Sequence, residues 1–217
     1  MFDTSLSWND IGFLLEGAGV TLAITFWAVL GGTLLGVIFG LLRAVSPRWI
    51  NLSLGAVLDV LRSVPLLIQF VLANSFKSIL GISSSPFVIG CVVLALYTSS
   101  YCAEIVRGGI LAVPVTTRRA ARSLGLTYRQ DLAWIVFPIA LRVALPSWIG
   151  LTLGVMKDTA LVLWIGIVEL LRASQIIVTR IQEPLFVLSI AGAIYFLMSF
   201  PIGRLGARLE KRWREDD

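Results

Sequence analysis

The chain has 217 residues, 57% of them hydrophobic and only 14% charged, with a mean hydropathy of +0.89. A soluble domain is nearer about 45–50% apolar and about 25% charged, so composition excludes an ordinary water-soluble globule. It leaves room for one membrane domain, residues 1–217, and no second globular one. The net charge of +5 and pI of 9.7 could suit nucleic acid, but the arginines lie in short stretches between apolar runs, the pattern of membrane orientation rather than of nucleic-acid binding.

Histidine is absent. Ser-His and Cys-His nucleophile pairs and the usual zinc sites are thereby excluded, so neither a catalytic group nor a metal site is expected. No GxxxxGK[ST] phosphate loop occurs, and the chain carries no ATPase of its own. The acidic start, MFDTSLSWND, lacks the basic region of a signal peptide, so the first apolar segment reads as a retained span.

About 20 apolar residues cross the hydrocarbon layer as a helix. The first such run is Val20–Leu42, where Gly32, Gly36 and Gly40 form a small-residue stripe for close helix approach. The second, Leu52–Phe76, holds Pro65, which should kink it, and Asp59 with Arg62, which can pair at i,i+3. Phe87–Val106 is the third; its Cys91 and Cys102 stand about 16 Å apart on a regular helix, beyond disulfide reach of about 7 Å. A broken fourth segment covers Leu132–Val168, and the fifth is Leu185–Leu205. The reading is an all-α integral membrane protein of about five transmembrane helices. Arg43, Arg48, the arginines between spans three and four, and those of the tail LGARLEKRWREDD fall on one side. The positive-inside rule makes that side cytoplasmic, with the N-terminus outside and the C-terminus inside; the tail reads as an orientation anchor.

The basic loop, about residues 107–146, is too long for a simple turn. Pro114 should stop the incoming helix, Thr116 or Thr117 should cap a new one over Thr117–Leu124, and Gly125 should end it. Thr117, Ala120, Ala121 and Leu124 share a stripe edged by Arg118, Arg119 and Arg122. That stripe suits either a groove on a partner protein or anionic lipid headgroups.

In the fourth segment, Pro146 reads as the start of the membrane part. Lys157 and Asp158 then lie about 17 Å deep, where ionisable groups are costly and face a cavity or partners. With Thr159, and with Asp59, Arg62 and Gln69 of span two, they are the candidate lining of a translocation path; the alternative is that 157–159 anchor the break that follows. Glu169 and Arg172 are spaced for a local ion pair in an outer-surface helix.

Ala120, Ala121 and Gly125, followed by Ile135 and Pro138, resemble the EAA loop of bacterial ABC importer permeases. The wider frame AEIVRGGI…VP…AA.SLGL…Q.L…..P.ALR.ALP is similar to the polar amino acid subgroup, and LLEGAGVTLAITF, RSVPLLIQF and MKDTALVLWIGIVELLRASQ agree in order. The resemblance covers roughly residues 12–214. It implies a permease subunit of the cytoplasmic (inner) membrane working by alternating access. Thr117, Arg118, Arg119, Ala120, Ala121, Arg122, Leu124 and Gly125 would dock on separate ATPase subunits, which bind the ATP and magnesium; the chain itself needs no cofactor. Further implied partners are a second permease, identical or related, and an extracytoplasmic amino-acid-binding protein, beside membrane lipid. Arg119 stands where the family usually has glutamate, which would complete a capping box with Thr116. Arginine there is unfavourable to the helix dipole, so the helix start should be weakened or Arg119 should meet an acid on the ATPase. Two other function classes are a stand-alone secondary transporter and a membrane scaffold or assembly protein; a co-purifying ATPase separates them from the importer.

Overall fold

A computed structural model describes residues 6–215, so the acidic first five residues and the last two of the tail lie outside the described residues. Among those described, all regular structure is helical: α1 (Trp8–Val45), α2 (Arg48–Ser63), α3 (Leu66–Ile79), α4 (Pro86–Leu111), α5 (Val115–Ser123), α6 (Tyr128–Gln130), a π-helical segment (Asp131–Val136), α7 (Phe137–Asp158), a 3₁₀ segment (Thr159–Ile165), α8 (Leu170–Ile181) and α9 (Pro184–Glu215). Four helical stretches are long and apolar enough to cross a membrane, or five if α2 and α3 together count as one span. The expected spans are present, with longer helices at both ends of the chain.

One expectation needs correction. Span two is not one kinked helix: α2 and α3 meet at 100°. Pro65 donates no N–H and pushes Val64 out of the helical region, which breaks the helix outright; Gln69 Nε2 then donates to the freed Val64 carbonyl at 2.8 Å. The helix that carries span four extends before Pro146, and α7 runs through that proline. Its irregularity lies earlier. Pro138 has no N–H for the Trp134 carbonyl, and the backbone there widens to π register, with Phe137 N–H reaching Leu132 O.

Contacts divide the chain into two compact units. One comprises the chain up to Leu30 with Val64–Ala95 and Thr152–Ile202. Its core joins Leu14 and Ala18 of α1, Leu170, Ala173, Ile177 and Ile181 of α8, and Val187 and Ala191 of α9. The α8 residues recur at i, i+3, i+7 and i+11, one face of an amphipathic helix. Here too α3 packs on the 3₁₀ segment.

The other unit comprises Gly31–Ser63, Leu96–Leu151 and the chain from Gly203 on. The glycine stripe of α1 faces α4. A Cβ on Gly36 would sit 2.5 Å from Cys102 Cβ, and one on Gly40 would sit 2.7 Å from Ala103 O. Neither space admits a side chain, so the stripe does pack helix on helix within the chain. Trp148 Nε1 of α7 donates to Thr33 Oγ1 of α1 at 2.8 Å.

Candidate coupling and translocation sites

The loop helix forms, one step earlier than its caps suggested. α5 covers Val115–Ser123, with Pro114 at the N-cap and no side-chain cap bond. Thr116 and Thr117 therefore sit in the first turn rather than before it. Proline at the cap fixes φ at −59° and needs no N–H partner, so it outcompetes either threonine. The far end is as expected. Gly125 takes φ +85°; its N–H reaches Arg122 O at 3.0 Å and Leu126 N–H reaches Ala121 O at 3.2 Å. These two bonds are a Schellman closure, which a residue with a Cβ adopts only under strain.

The stripe of small residues divides. Ala121 is buried, while Thr117, Ala120 and Leu124 remain exposed. Arg118 turns inward with Ala121: its Nε and Nη2 both donate to Asp131 Oδ2, at 3.1 and 3.0 Å. Asp131 is fully buried, and its other oxygen, Oδ1, has no partner. Arg119 and Arg122 are exposed and unpaired among the described residues. An outward face of Thr117, Ala120 and Leu124, flanked by two free guanidinium groups, is thus offered by a helix pinned from behind through Arg118. The capping box imagined at Thr116 exists one helix later: Gln130 N–H donates to Thr127 Oγ1 at 3.4 Å, and Thr127 N–H donates to Gln130 Oε1 at 2.8 Å. The spacing T-x-x-Q at 127–130 carries that signal in the sequence.

Asp59 and Arg62 do pair on α2. Sequence reasoning missed the larger assembly they belong to. Glu104 of α4 accepts from Arg43 of α1, from Arg107 Nε at 3.2 Å and from Arg62 Nη2 at 3.4 Å. Arg43 Nε also donates to Asn51 Oδ1 at 3.1 Å. One carboxylate thus joins three helices through three arginines. The hint was Glu104 itself, an acid within an apolar run.

In the other unit, α7 ends at Asp158. Lys157 is exposed, Asp158 is half-buried, and neither forms an ion pair among the described residues. Thr159 is buried and donates its hydroxyl to Met156 O at 2.7 Å, closing the helix end. Gln69 belongs to α3, the helix that packs on the same 3₁₀ segment. Gln69, Lys157, Asp158 and Thr159 therefore share one unit, and Asp59 and Arg62 belong to the other.

Glu169 does not pair with Arg172. It is the N-cap of α8, and its carboxylate accepts from Leu171 N–H at 2.8 Å, Arg172 N–H at 2.7 Å and Tyr195 Oη at 3.1 Å. A cap wins because two unsatisfied amides at a buried helix start need an acceptor more than an exposed guanidinium does. Burial nevertheless pushes the Glu169 carboxyl above its ordinary range, against these donors. A carboxyl whose folded pKa is raised loses stability as pH climbs through the window above the unfolded value. Replacing Glu169 with Gln keeps an acceptor and removes the titration. The unfolding temperature of E169Q should therefore fall less than the parent's as pH rises above the ordinary glutamate range, while Glu169→Ala should cost about 1–2 kcal/mol on the acid side of that range, where the parent is most stable.

Residues 32–215 match the model of the "Binding-protein-dependent transport system inner membrane component" family. The chain is 30% identical over 219 residues to the glutamine transport system permease protein GlnP of Escherichia coli K12, covering 98% of each chain. It is 34% identical over 202 residues to the nopaline transport system permease protein NocM of Agrobacterium fabrum, covering 88% of this chain and 84% of that one. Among solved structures, an amino acid ABC transporter superposes with a TM-score of 0.85 at 31% identity, over 96% of this chain and 99% of the other. The MetNI methionine ABC transporter shares the fold, with a TM-score of 0.80 at 21% identity over 95% and 99%. The exposed helix α5, pinned by Arg118, closed by Gly125 and set between apolar spans, occurs in a chain that belongs to the family of binding-protein-dependent transport system inner membrane components.

Proposed function

We propose that this single-domain chain is the permease subunit of an ATP-driven importer for polar amino acids in the bacterial cytoplasmic membrane. The observation that carries the substrate class is the likeness, over most of the chain, to permeases named for glutamine and for nopaline. The chain is non-catalytic: ATP and magnesium bind to partner ATPase subunits. Those subunits meet the outward face of α5, Thr117, Ala120 and Leu124 with Arg119 and Arg122, on the cytoplasmic side. The N-terminus is outside and the C-terminus inside. A second permease completes the path and a soluble binding protein delivers substrate. Lys157 and Asp158, charged and unpaired beside the 3₁₀ break, together with Gln69, Asp59 and Arg62 are the residues we assign to the path; Thr159 supports the break.

Reconstitution tests the whole reading. The chain, with an ATPase and a binding protein that assemble with it, should take up labelled glutamine or another polar amino acid only when ATP and the binding protein are both present. Uptake by the chain alone, or no ATPase in the purified complex, would overturn it.

Arg119 offers a test by sign. If it acts only within the chain, Arg119→Glu should change the stability of α5 by less than about 0.3 kcal/mol and leave assembly intact, because Arg119 is the fifth residue of α5 and the helix dipole acts on the first turn. If it meets an acidic residue of the ATPase, the same change sets like charges opposite each other and the ATPase should dissociate more readily. We expect the second result, measured as subunit retention on size-exclusion at rising salt, because Arg119 is exposed and unpaired on a helix whose capless start has already formed.

A further inference from the structure

Helix α2 has a proline break at each end. Pro47 separates it from α1, and Pro65 separates it from α3, which leaves at 100°. A helix bounded in this way can move as a rod, because no continuous helical ladder ties it to its neighbours in the chain. Burial holds it weakly: of its 16 residues only Gly55 and Leu58 are buried. On its outer side Trp49, Leu52, Val57 and Val60 are each 60% or more exposed. Its links to α1 and α4 include a polar seam. Arg43 of α1 donates from Nε to Asn51 Oδ1 at 3.1 Å and lies against Gly55, where a Cβ would stand 3.0 Å from Nη2. Arg62, in the last turn of α2, supplies the link to α4. A single nitrogen, Nη2, donates both to Asp59 Oδ1 of its own helix and to Glu104 Oε1 of α4, the latter at 3.4 Å. That same Glu104 oxygen also accepts from Arg43.

Two acids thus draw on one guanidinium. Asp59 stands three residues back on the same helix, so its pair with Arg62 travels with α2. The Glu104 contact is long, is shared with Arg43, and breaks when α2 leaves α4. We propose that Arg62 is a latch on α2: drawn to Glu104 it holds the helix on α4, and drawn to Asp59 it lets the helix go. Neither position leaves a lone charge, since Arg62 keeps Asp59 while Glu104 keeps Arg43 and Arg107. A latch in an apolar surrounding needs this property, because an ion released without a partner meets a penalty that would hold the helix shut. With breaks at Pro47 and Pro65, α2 has two discrete positions, the kind of rearrangement that alternating access uses. The latch rests on no assignment of substrate, ATPase or side of the membrane.

The test is a distance measured on the full chain in nanodiscs. Ser53→Cys on α2 and Gly108→Cys on α4, both at exposed positions, carry spin labels, and Cys91→Ala with Cys102→Ala removes the native thiols. Labelled chain is diluted with unlabelled chain so that each assembly holds one labelled copy. Pulsed electron–electron resonance should then show a near and a far population of α2 relative to α4. Asp59→Asn removes the competing charge and should raise the near-to-far ratio about two- to fivefold, the range one partly exposed ion pair supplies. Arg62→Gln removes the latch and should lower the ratio by a similar factor. The Asp59 side chain is 63% exposed, so Asp59→Asn tests the latch even if Arg62→Gln does not fold. Two charges that only stabilise the fold would loosen α2 in both variants. Shifts of the same sign, or no shift in Asp59→Asn, would therefore overturn the proposal.

Discussion

Glu104→Ala should lower the stability of this protein by about 3 kcal/mol, read as a downward shift of its unfolding midpoint in detergent and a fall in yield. The cost follows from what is left behind. Arg43, Arg62 and Arg107 all direct donors at this one carboxylate, and the Arg43 side chain is only 10% exposed. Breaking a buried pair by removing one partner typically costs about 3–5 kcal/mol, because the other charge stays buried and uncompensated. The Glu104 side chain keeps 26% of its exposure, which places the expected loss at the low end. Arg62 has a second partner in Asp59, so Arg62→Ala should be milder, about 1 kcal/mol. The replacement of both Arg43 and Glu104 by Met should recover most of the loss, since an apolar pair of similar volume substitutes well for a buried ion pair. A double mutant as unstable as Glu104→Ala alone would mean that the carboxylate, not the charge balance around it, is what the three helices require.

The elements legible in the sequence were those set by one residue and its neighbours. Gly125 announced a left-handed helix stop, Pro114 a boundary, and the apolar runs their spans, because backbone sterics and lipid thickness act locally. Long-range pairing was not legible. Glu104 lies 61 residues from Arg43, and nothing in local spacing joins them. The same limit explains Arg118. On the helical wheel it flanks the exposed stripe as well as Arg122 does, and only the fold brings Asp131 beneath it. Glu169 failed differently: an i,i+3 pair with Arg172 and an N-cap are both local patterns, and the buried start of α8 decided between them. The path residues divide within span two itself, Gln69 falling in the unit of residues 157–159 and Asp59 and Arg62 in the other, which no linear spacing could foretell.

The Arg118–Asp131 clamp makes the sharpest functional prediction. Asp131→Ala should cost about 2–3 kcal/mol locally and cut ATP-driven uptake tenfold or more, while the ATPase still binds and hydrolyses ATP. The carboxylate is fully buried and takes both Arg118 donors on one oxygen, so it fixes the angle of α5 on the π-helical segment that leads into α7. Its removal lets Arg118 swing to water, which spares the fold much of the penalty of an isolated buried charge. What is lost is the rigid connection: a docking helix that tilts freely under its partner transmits less of the partner's movement to the span behind it. Arg118→Ala should behave alike, and the two changes together should be no worse than either, the signature of residues that act as one unit. Asp131→Asn keeps the shape and one neutral acceptor, so it should fall between the parent and Asp131→Ala in uptake per ATP hydrolysed. Uptake per ATP that is unchanged in all three variants would remove the clamp from coupling and leave it a packing detail of the loop.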